Sequence, residues 1–347
     1  MILWRILVYP FAVIYDGITR LRNFFYNKGF LKTTEFSLPI ISVGNLSVGG
    51  TGKTPHVEFI LNVLSDFKLA TLSRGYGRKT KGYRKVVVGD DASTVGDEPL
   101  QIFQKYGAQA GVYVGEKRVL AVPKILTDSP DIDAVLLDDA YQHRAIGRRL
   151  NILLTDFNRL FYQDFVLPAG YLREARKGAL RADVIVVTKC PSGISQEAIG
   201  TISAAIAKYK KENAQVFFSQ VIYSDFEHVY GPEAGVGNCV LVSGIAHSEG
   251  FVTECKNRCQ VLEHFDFGDH HAFKFSEVEE IVSSIQELNE ENPVLVTTEK
   301  DWMRLNQPEF HPILKNITVF CLPIRVEFLQ DEAKFKTLLK NAITNHA

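Results

Sequence analysis

A chain of 347 residues is long enough for about two domains, each with a buried core. With 46% hydrophobic and 23% charged residues it is neither disordered nor collagen-like. Its 39 Lys+Arg nearly balance 40 Asp+Glu, which argues against a nucleic-acid partner, but residues 1–100 carry 13 basic and only 8 acidic side chains.

That amino-terminal surplus predicts an anionic partner, either phosphate groups or lipid headgroups. Residues 1–31 are rich in Leu, Ile, Phe, Tyr and Trp, with a longest uncharged run of 6–15. Crossing a bilayer takes ~20 apolar residues, and Pro10 interrupts the run. No small-residue cleavage site follows it. Beyond Pro10, Phe11, Ile14, Tyr15, Ile18, Leu21 and Phe25 recur at helical spacing, with Arg20, Arg22 and Lys28 around them. The stripe suits a helix lying in an anionic membrane interface and equally a helix packed on its own core.

Downstream, short β-branched runs alternate with helical stretches. Strands are predicted at 38–43, 68–72, 83–88, 134–137, 151–154 and 183–187, then at 215–219, 239–242, 294–297 and 318–321. The alternation indicates α/β architecture with largely parallel sheets. The turn-rich stretch 223–238 is the best linker, so a membrane-interface segment (1–31), a larger domain (32–222) and a smaller α/β domain (223–347) are expected. The scattered cysteines Cys190, Cys239, Cys255, Cys259 and Cys321 read as reduced thiols, mostly core fillers, without the spacing of a zinc site.

Ser47-Val48-Gly49-Gly50-Thr51-Gly52-Lys53-Thr54 sits between a predicted strand and a predicted helix, as a Walker A loop does, with Ser47 in place of the usual first glycine. Its backbone amides would cradle phosphates at a helix amino terminus. Lys53 would reach the β/γ-phosphates, and the Thr54 hydroxyl would ligate Mg²⁺. The apolar strand ending in Asp138-Asp139 has the form of a Walker B strand, whose carboxylates approach the same cation. Asn-Lys-x-Asp, the guanine reader, is missing: Thr188-Lys189-Cys190-Pro191 lacks the Asp and Glu299-Lys300-Asp301 has another order. ATP is the expected nucleotide.

Ser73-Arg74-Gly75-Tyr76-Gly77-Arg78 places glycine-spaced arginines after a strand, suited either to a phosphorylated substrate or to a solvated basic loop. Asp97, in Gly96-Asp97-Glu98-Pro99, is a helix cap or a base for an attacking hydroxyl. Gln142 and His143 could serve a substrate or orient the aspartates. Arg118 and Arg173, the latter next to Glu174, could neutralise a transferred phosphoryl group or form surface ion pairs. In 266–273, a histidine beside Asp269 could pair with a carboxylate across a cleft.

Taken in order, these motifs resemble the lipid A tetraacyldisaccharide 4′-kinases of Gram-negative bacteria over nearly the whole chain. The match includes Arg22-Asn23, 43–55, 72–78, 96–99, Asp138-Asp139 with Gln142-His143, 167–170 with 172–174, Asp269-His270-His271 and 298–301. The resemblance implies a peripheral or monotopic kinase at the cytoplasmic face of the inner membrane. It would move the γ-phosphoryl of ATP, with Mg²⁺, to the 4′-hydroxyl of a tetraacyl disaccharide 1-phosphate lipid. It implies two α/β/α sandwich domains, the first of P-loop NTPase type, with the active site between them. By the same analogy Asp97 is the base, tuned by His270. Arg74, Tyr76, Arg118, His143, Arg173 and Glu174 fall on stretches that carry substrate-binding or charge-stabilising residues, and Arg78, Glu98 and Gln142 are candidates on those motifs. No obligate protein partner is marked. The competing reading is a P-loop ATPase that acts as a switch or targeting module, with no lipid acceptor.

Overall fold

In the computed structural model, residues 2–288 and 292–345 are described, apart from the side chains of residues 2–6. The amino-terminal part runs α1 (Ile2–Asn27), β1 (Ile40–Asn45), α2 (Lys53–Val63), β2 (Leu69–Ser73), β3 (Arg84–Lys85), α3 (Ala92–Val95), α4 (Asp97–Tyr106) and β4 (Ala110–Val114). It continues with α5 (Arg118–Asp128), β5 (Ala134–Asp138), β6 (Leu150–Asp156), β7 (Val184–Thr188), α6 (Gln196–Ala207) and β8 (Gln215–Tyr223). There follow β9 (Glu227–Tyr230), β10 (Asn238–Ser243), α7 (Glu249–Arg258), β11 (Gln260–Asp266), α8 (Phe275–Glu287) and β12 (Val294–Thr297). The last elements are α9 (Glu299–Leu305), α10 (His311–Leu314), β13 (Val319–Cys321), β14 (Ile324–Phe328) and α11 (Glu332–Thr344).

The strands form two sheets, one in the order β14-β8-β7-β6-β1-β5-β2-β4-β3 and one in the order β11-β10-β12-β13-β9. The first is parallel except for its edge strands β3 and β14, and the second except for β9. Every residue of β1, β5, β6 and β7 is buried, as expected of central parallel strands covered on both faces. β5 and β6 flank β1 on opposite sides, so the chain reverses direction across the sheet there. The carboxyl end of β1 is therefore the place where an open α/β sheet offers a crevice for a ligand.

Three sequence expectations change. The presumed linker 223–238 contains β9, which pairs antiparallel with β13. Residues 324–344, expected in the smaller domain, return to the first sheet: β14 pairs with β8, and Phe335 of α11 packs on Phe217 and Phe328. Pro10 does not stop α1, which is helical on both sides of it. The strands β4, β11 and β14 were also missed. All five cysteines are free, and all but Cys259 are buried.

α1 does not bury its apolar stripe. Ile14 and Ile18 are each 62% exposed, and Phe11, Leu21 and Phe25 also face outward. An adjoining face docks through Ala12, Tyr15 (a member of the predicted stripe), Thr19, Arg22 and Asn23, at spacings of one, three or four residues. Ala12 is buried, the Arg22 Nη2 donates to the Gln142 carbonyl (2.9 Å), and the Asn23 amide donates to Glu174 (2.7 Å). Among the described residues, no helix is long and apolar enough to cross a membrane.

The two sheets meet through α4 and α9. A single hydrophobic cluster runs from Val57 and Leu100 to Trp302, Met303 and Val242. At its edge Lys105 bridges Glu58 (2.5 Å) and Glu299 (2.7 Å).

Candidate active site

A cleft of about 1280 Å³ opens between the sheets, floored by the loop after β1. Gly52 enters α2 with φ +79°, a left-handed conformation that suits glycine. Side chains from several segments brace the loop. Asn45 donates to the Thr51 hydroxyl (2.7 Å), Thr188 to the Thr51 carbonyl (3.0 Å), and Lys189 to the Gly50 carbonyl (2.5 Å). His56 bridges the Gly52 carbonyl (2.7 Å) and the Ser219 hydroxyl (3.0 Å). Its burial pushes its pKa down to about 4, so the ring is neutral at ordinary pH.

β5 delivers Asp138 and Asp139 beside Lys53. Asp139 is 3.8 Å from the Lys53 ammonium and accepts from Arg173 at 3.0 and 3.1 Å. Asp138 is different. Burial, with Asp139 adding to it against Lys53, raises its pKa to about 6, and its Oδ1 is buried without a hydrogen-bond partner. A hard, oxygen-seeking cation fits that orphaned oxygen, and Thr54 lines the same cleft. Arg118, at the start of α5, is buried and keeps its charge although burial lowers its pKa to about 10. Its contacts are the carbonyls of Glu116 (3.3 Å) and Asp138 (3.5 Å).

Across the cleft, Asp97 opens α4. Gly96 before it has φ +95°, and a Cβ there would lie 2.9 Å from the Tyr76 carbonyl, so the turn requires glycine. The Asp97 Oδ2 is 3.2 Å from the His270 Nδ1, 3.1 Å from the Arg304 Nε and 4.0 Å from the Lys300 ammonium. Arg304 Nη2 bonds to the same oxygen. Burial alone would raise the Asp97 pKa, but His270, Arg304 and Lys300 together hold it well below the usual carboxylate range. Glu98 next to it goes the other way: burial and the Asp97 charge raise it to about 7. His270 adopts φ +60°, lines the cleft and meets the Tyr76 ring edge-on at 5.4 Å. His271 turns away to Glu277 (2.8 Å) and stacks on Phe267.

The chain that carries this site is matched by a known family. The family model for tetraacyldisaccharide-1-P 4′-kinase matches residues 4–344. The chain belongs to that family. It is 39% identical over 345 residues to the tetraacyldisaccharide 4′-kinase of Flavobacterium psychrophilum, covering 97% of this chain and 96% of that one. It is 36% identical to that of Bacteroides thetaiotaomicron, with coverage of 94% and 89%. The crystal structure of the Aquifex aeolicus LpxK in complex with ATP superposes with a TM-score of 0.75 at 29% identity, covering 98% of this chain and 99% of that one.

Within this kinase fold, Val48, Gly49, Gly50, Thr51, Gly52, Lys53, Thr54, Arg74, Tyr76, Glu98, Arg118, Asp138, Asp139, Gln142, His143, Arg173 and His270 all line the cleft. Four expected site residues do not line it. Ser47 is buried in a bridge to Leu172. Arg78 turns to Glu116 (2.5 Å) and the Gly82 carbonyl (2.6 Å). Glu174, expected to meet substrate, is buried against Arg181, Asn23 and Gln142, so its charge secures α1 to the domain. Asp97 sits just behind the wall, screened by the cleft-lining Glu98, His270 and Lys300. Gln142 faces the cleft, but its amide is committed to the Asn45 carbonyl (2.8 Å) and Glu174. The Val48 amide is likewise committed, to the Tyr171 carbonyl (2.8 Å).

The sequence reading also missed contributors. Tyr15, Thr19 and Arg22 of α1 line the cleft, and so do Lys189 and Lys300. The Arg22-Asn23 pair was the one signal that α1 approaches the chemistry. Arg304 had none.

Proposed function

We infer that this protein transfers the γ-phosphoryl group of ATP to the 4′-hydroxyl of a tetraacyl disaccharide 1-phosphate lipid. The observation that carries the reading is that the Lys53 loop and His270, with Asp97 behind it, border one cleft. A nucleotide switch needs the first and has no use for the second, and family membership also speaks for the kinase.

Phosphoryl transfer is mainly positioning and charge neutralisation. The free amides of 49–54 and the Lys53 ammonium would hold the β/γ-phosphates at the α2 amino terminus. Asp138 and Thr54 would hold Mg²⁺, which supplies positive charge to the phosphate oxygens, while Asp139 keeps Lys53 and Arg173 in place. As the 4′-oxygen bonds to the γ-phosphorus, the bond to the ADP oxygen breaks and ADP leaves. The hydroxyl proton passes to the Asp97–His270 pair, with His270 at the cleft surface and the carboxylate behind it. Arg118 faces the growing negative charge. His143 has a buried Nε2 without a partner and a pKa lowered to about 4 by burial foremost and by Arg118, so it presents a neutral ring to a sugar hydroxyl. Arg74, Tyr76 and Glu98 complete the acceptor side.

The exposed stripe of α1 suits the anionic cytoplasmic face of the inner membrane, where ATP is supplied. Acyl chains would stay in the bilayer while the sugar enters past Tyr15, Thr19 and Arg22. We also propose that the chain works as an interface helix, a larger nucleotide unit rejoined by 324–344, and a smaller unit.

Labelled ATP with a tetraacyl disaccharide 1-phosphate, followed by chromatography of the lipid, tests the reading. Label should enter the lipid with the native chain and stay out of it with Lys53→Ala and Asp97→Asn. Rapid hydrolysis to inorganic phosphate with an unlabelled lipid would favour the switch.

A further inference from the structure

Arg304 lies outside every motif that carries the chemistry and does not line the cleft, yet its guanidinium is buried between the two sheets. Nε and Nη2 hold Asp97, while Nη1 donates to the Gly244 carbonyl (3.1 Å) and to Asp301 (3.0 Å). Asp301, itself fully buried, accepts from the Gly244 amide (2.9 Å) and the Thr298 hydroxyl (2.7 Å). The chain of contacts starts on the backbone after β10, passes through α9 and ends on the first residue of α4, 207 positions away in sequence. Burying two carboxylates and a guanidinium is weak ground for stability, because desolvation offsets much of the attraction. What such an arrangement does well is fix one geometry.

We propose that Arg304 is a positioning residue for phosphoryl transfer: from α9 it fixes the Asp97 carboxylate against the His270 ring, so that the proton acceptor is assembled only while α4 and α9 are docked. The inference rests on Asp97–His270 being that acceptor. Lys300 cannot replace Arg304, because its ammonium is shared among His270 (2.9 Å), Glu98 (3.7 Å) and Asp269 (3.9 Å) and is open to the cleft. The charged and titratable groups around Asp97 are Glu98 on its own helix, His270 and Asp269 after β11, and Lys300, Asp301 and Arg304 from α9. Among them Arg304 alone makes two bonds to the carboxylate oxygen while anchored at its other end.

The test is kcat and KM for Arg304→Met and Arg304→Lys near neutral pH, with ATP and the tetraacyl disaccharide. Removing the guanidinium frees the Asp97 carboxylate to turn from the His270 ring, so the loss for Arg304→Met should fall on kcat rather than on KM for ATP. Near neutrality kcat should fall about 10²-fold, KM for ATP should stay within about threefold, and Arg304→Lys should recover part of the loss. In an Asp97→Asn background, Arg304→Met should add no further loss. A KM for ATP that rises as much as kcat falls, no recovery in Arg304→Lys, additive losses or a faster enzyme would each overturn the proposal. Asp301→Asn, which loosens the anchor while keeping the volume, should lower kcat with the same unchanged KM for ATP and decides the matter should Arg304→Met unfold. Normal turnover by Asp97→Asn alone would instead remove the acceptor pair itself.

Discussion

The Tyr15 hydroxyl donates to the backbone carbonyl of Arg173 at 2.9 Å, joining α1 to the residue whose guanidinium holds Asp139. One helix thus presents apolar side chains outward and polar ones to the cleft. The lipid acceptor proposed above would meet both faces at once.

Ile14→Glu and Ile18→Glu should each weaken co-sedimentation with anionic vesicles about tenfold, since a buried Ile contributes roughly 1.5–3 kcal/mol. Melting temperatures should not change, because both side chains already stand in solvent. Unchanged vesicle binding would place the stripe against something other than lipid.

Glu174→Ala should destabilise the fold by about 1.5–3 kcal/mol, because it leaves the partly buried Arg181 guanidinium without its carboxylate. Urea unfolding checks this. A variant of native stability with a raised KM for lipid would return Glu174 to the role of substrate contact.

His56 gives a pH signature. Its pKa is about 4 in the fold and about 6.5 in the unfolded chain, so the unfolded state binds the extra proton between those values. Its contribution is complete above pH 6.5 and is lost as pH falls toward 4, on the order of 3 kcal/mol in all. Glu58, raised to about 7 chiefly by burial, has the opposite slope, so the informative quantity is the difference from His56→Gln. Chemical denaturation of both proteins at pH 4.5 and 7 should show the variant losing less stability, or gaining more, than the native chain as pH falls between those values.

Arg118→Met should lower kcat about 10²–10³-fold with little change in KM for ATP, as expected when a buried cation acts on charge that develops during transfer. Rapid-quench measurement of a single turnover separates this from slow product release. Equal losses in ATP binding would assign Arg118 to the ground state.

Much of this protein could be read along the chain because some of its physics is local. A phosphate loop needs contiguous amides between a strand and a helix, and 47–54 supplies them. Asp138-Asp139 ends an apolar run, which is how a strand tip reads. Central strands such as β1 and β7 announce themselves as unbroken apolar segments. β9, β11 and β14 did not, because edge strands in partial contact with solvent alternate with charges and look like loop.

Sequence by itself determined the chemistry available: a nucleotide loop, a pair of strand-end carboxylates, and an acid and a histidine able to share a proton. Only the tertiary structure decided which charges face the cleft and which bear load. Glu174 and Arg78 carry site-like motifs yet are turned to internal partners, whereas Arg304, with no motif, grips Asp97. The reason is that a charge takes its role from the groups that solvate it. For Asp97 those groups arrive from α9 and from the loop after β11, more than 170 residues further along the chain.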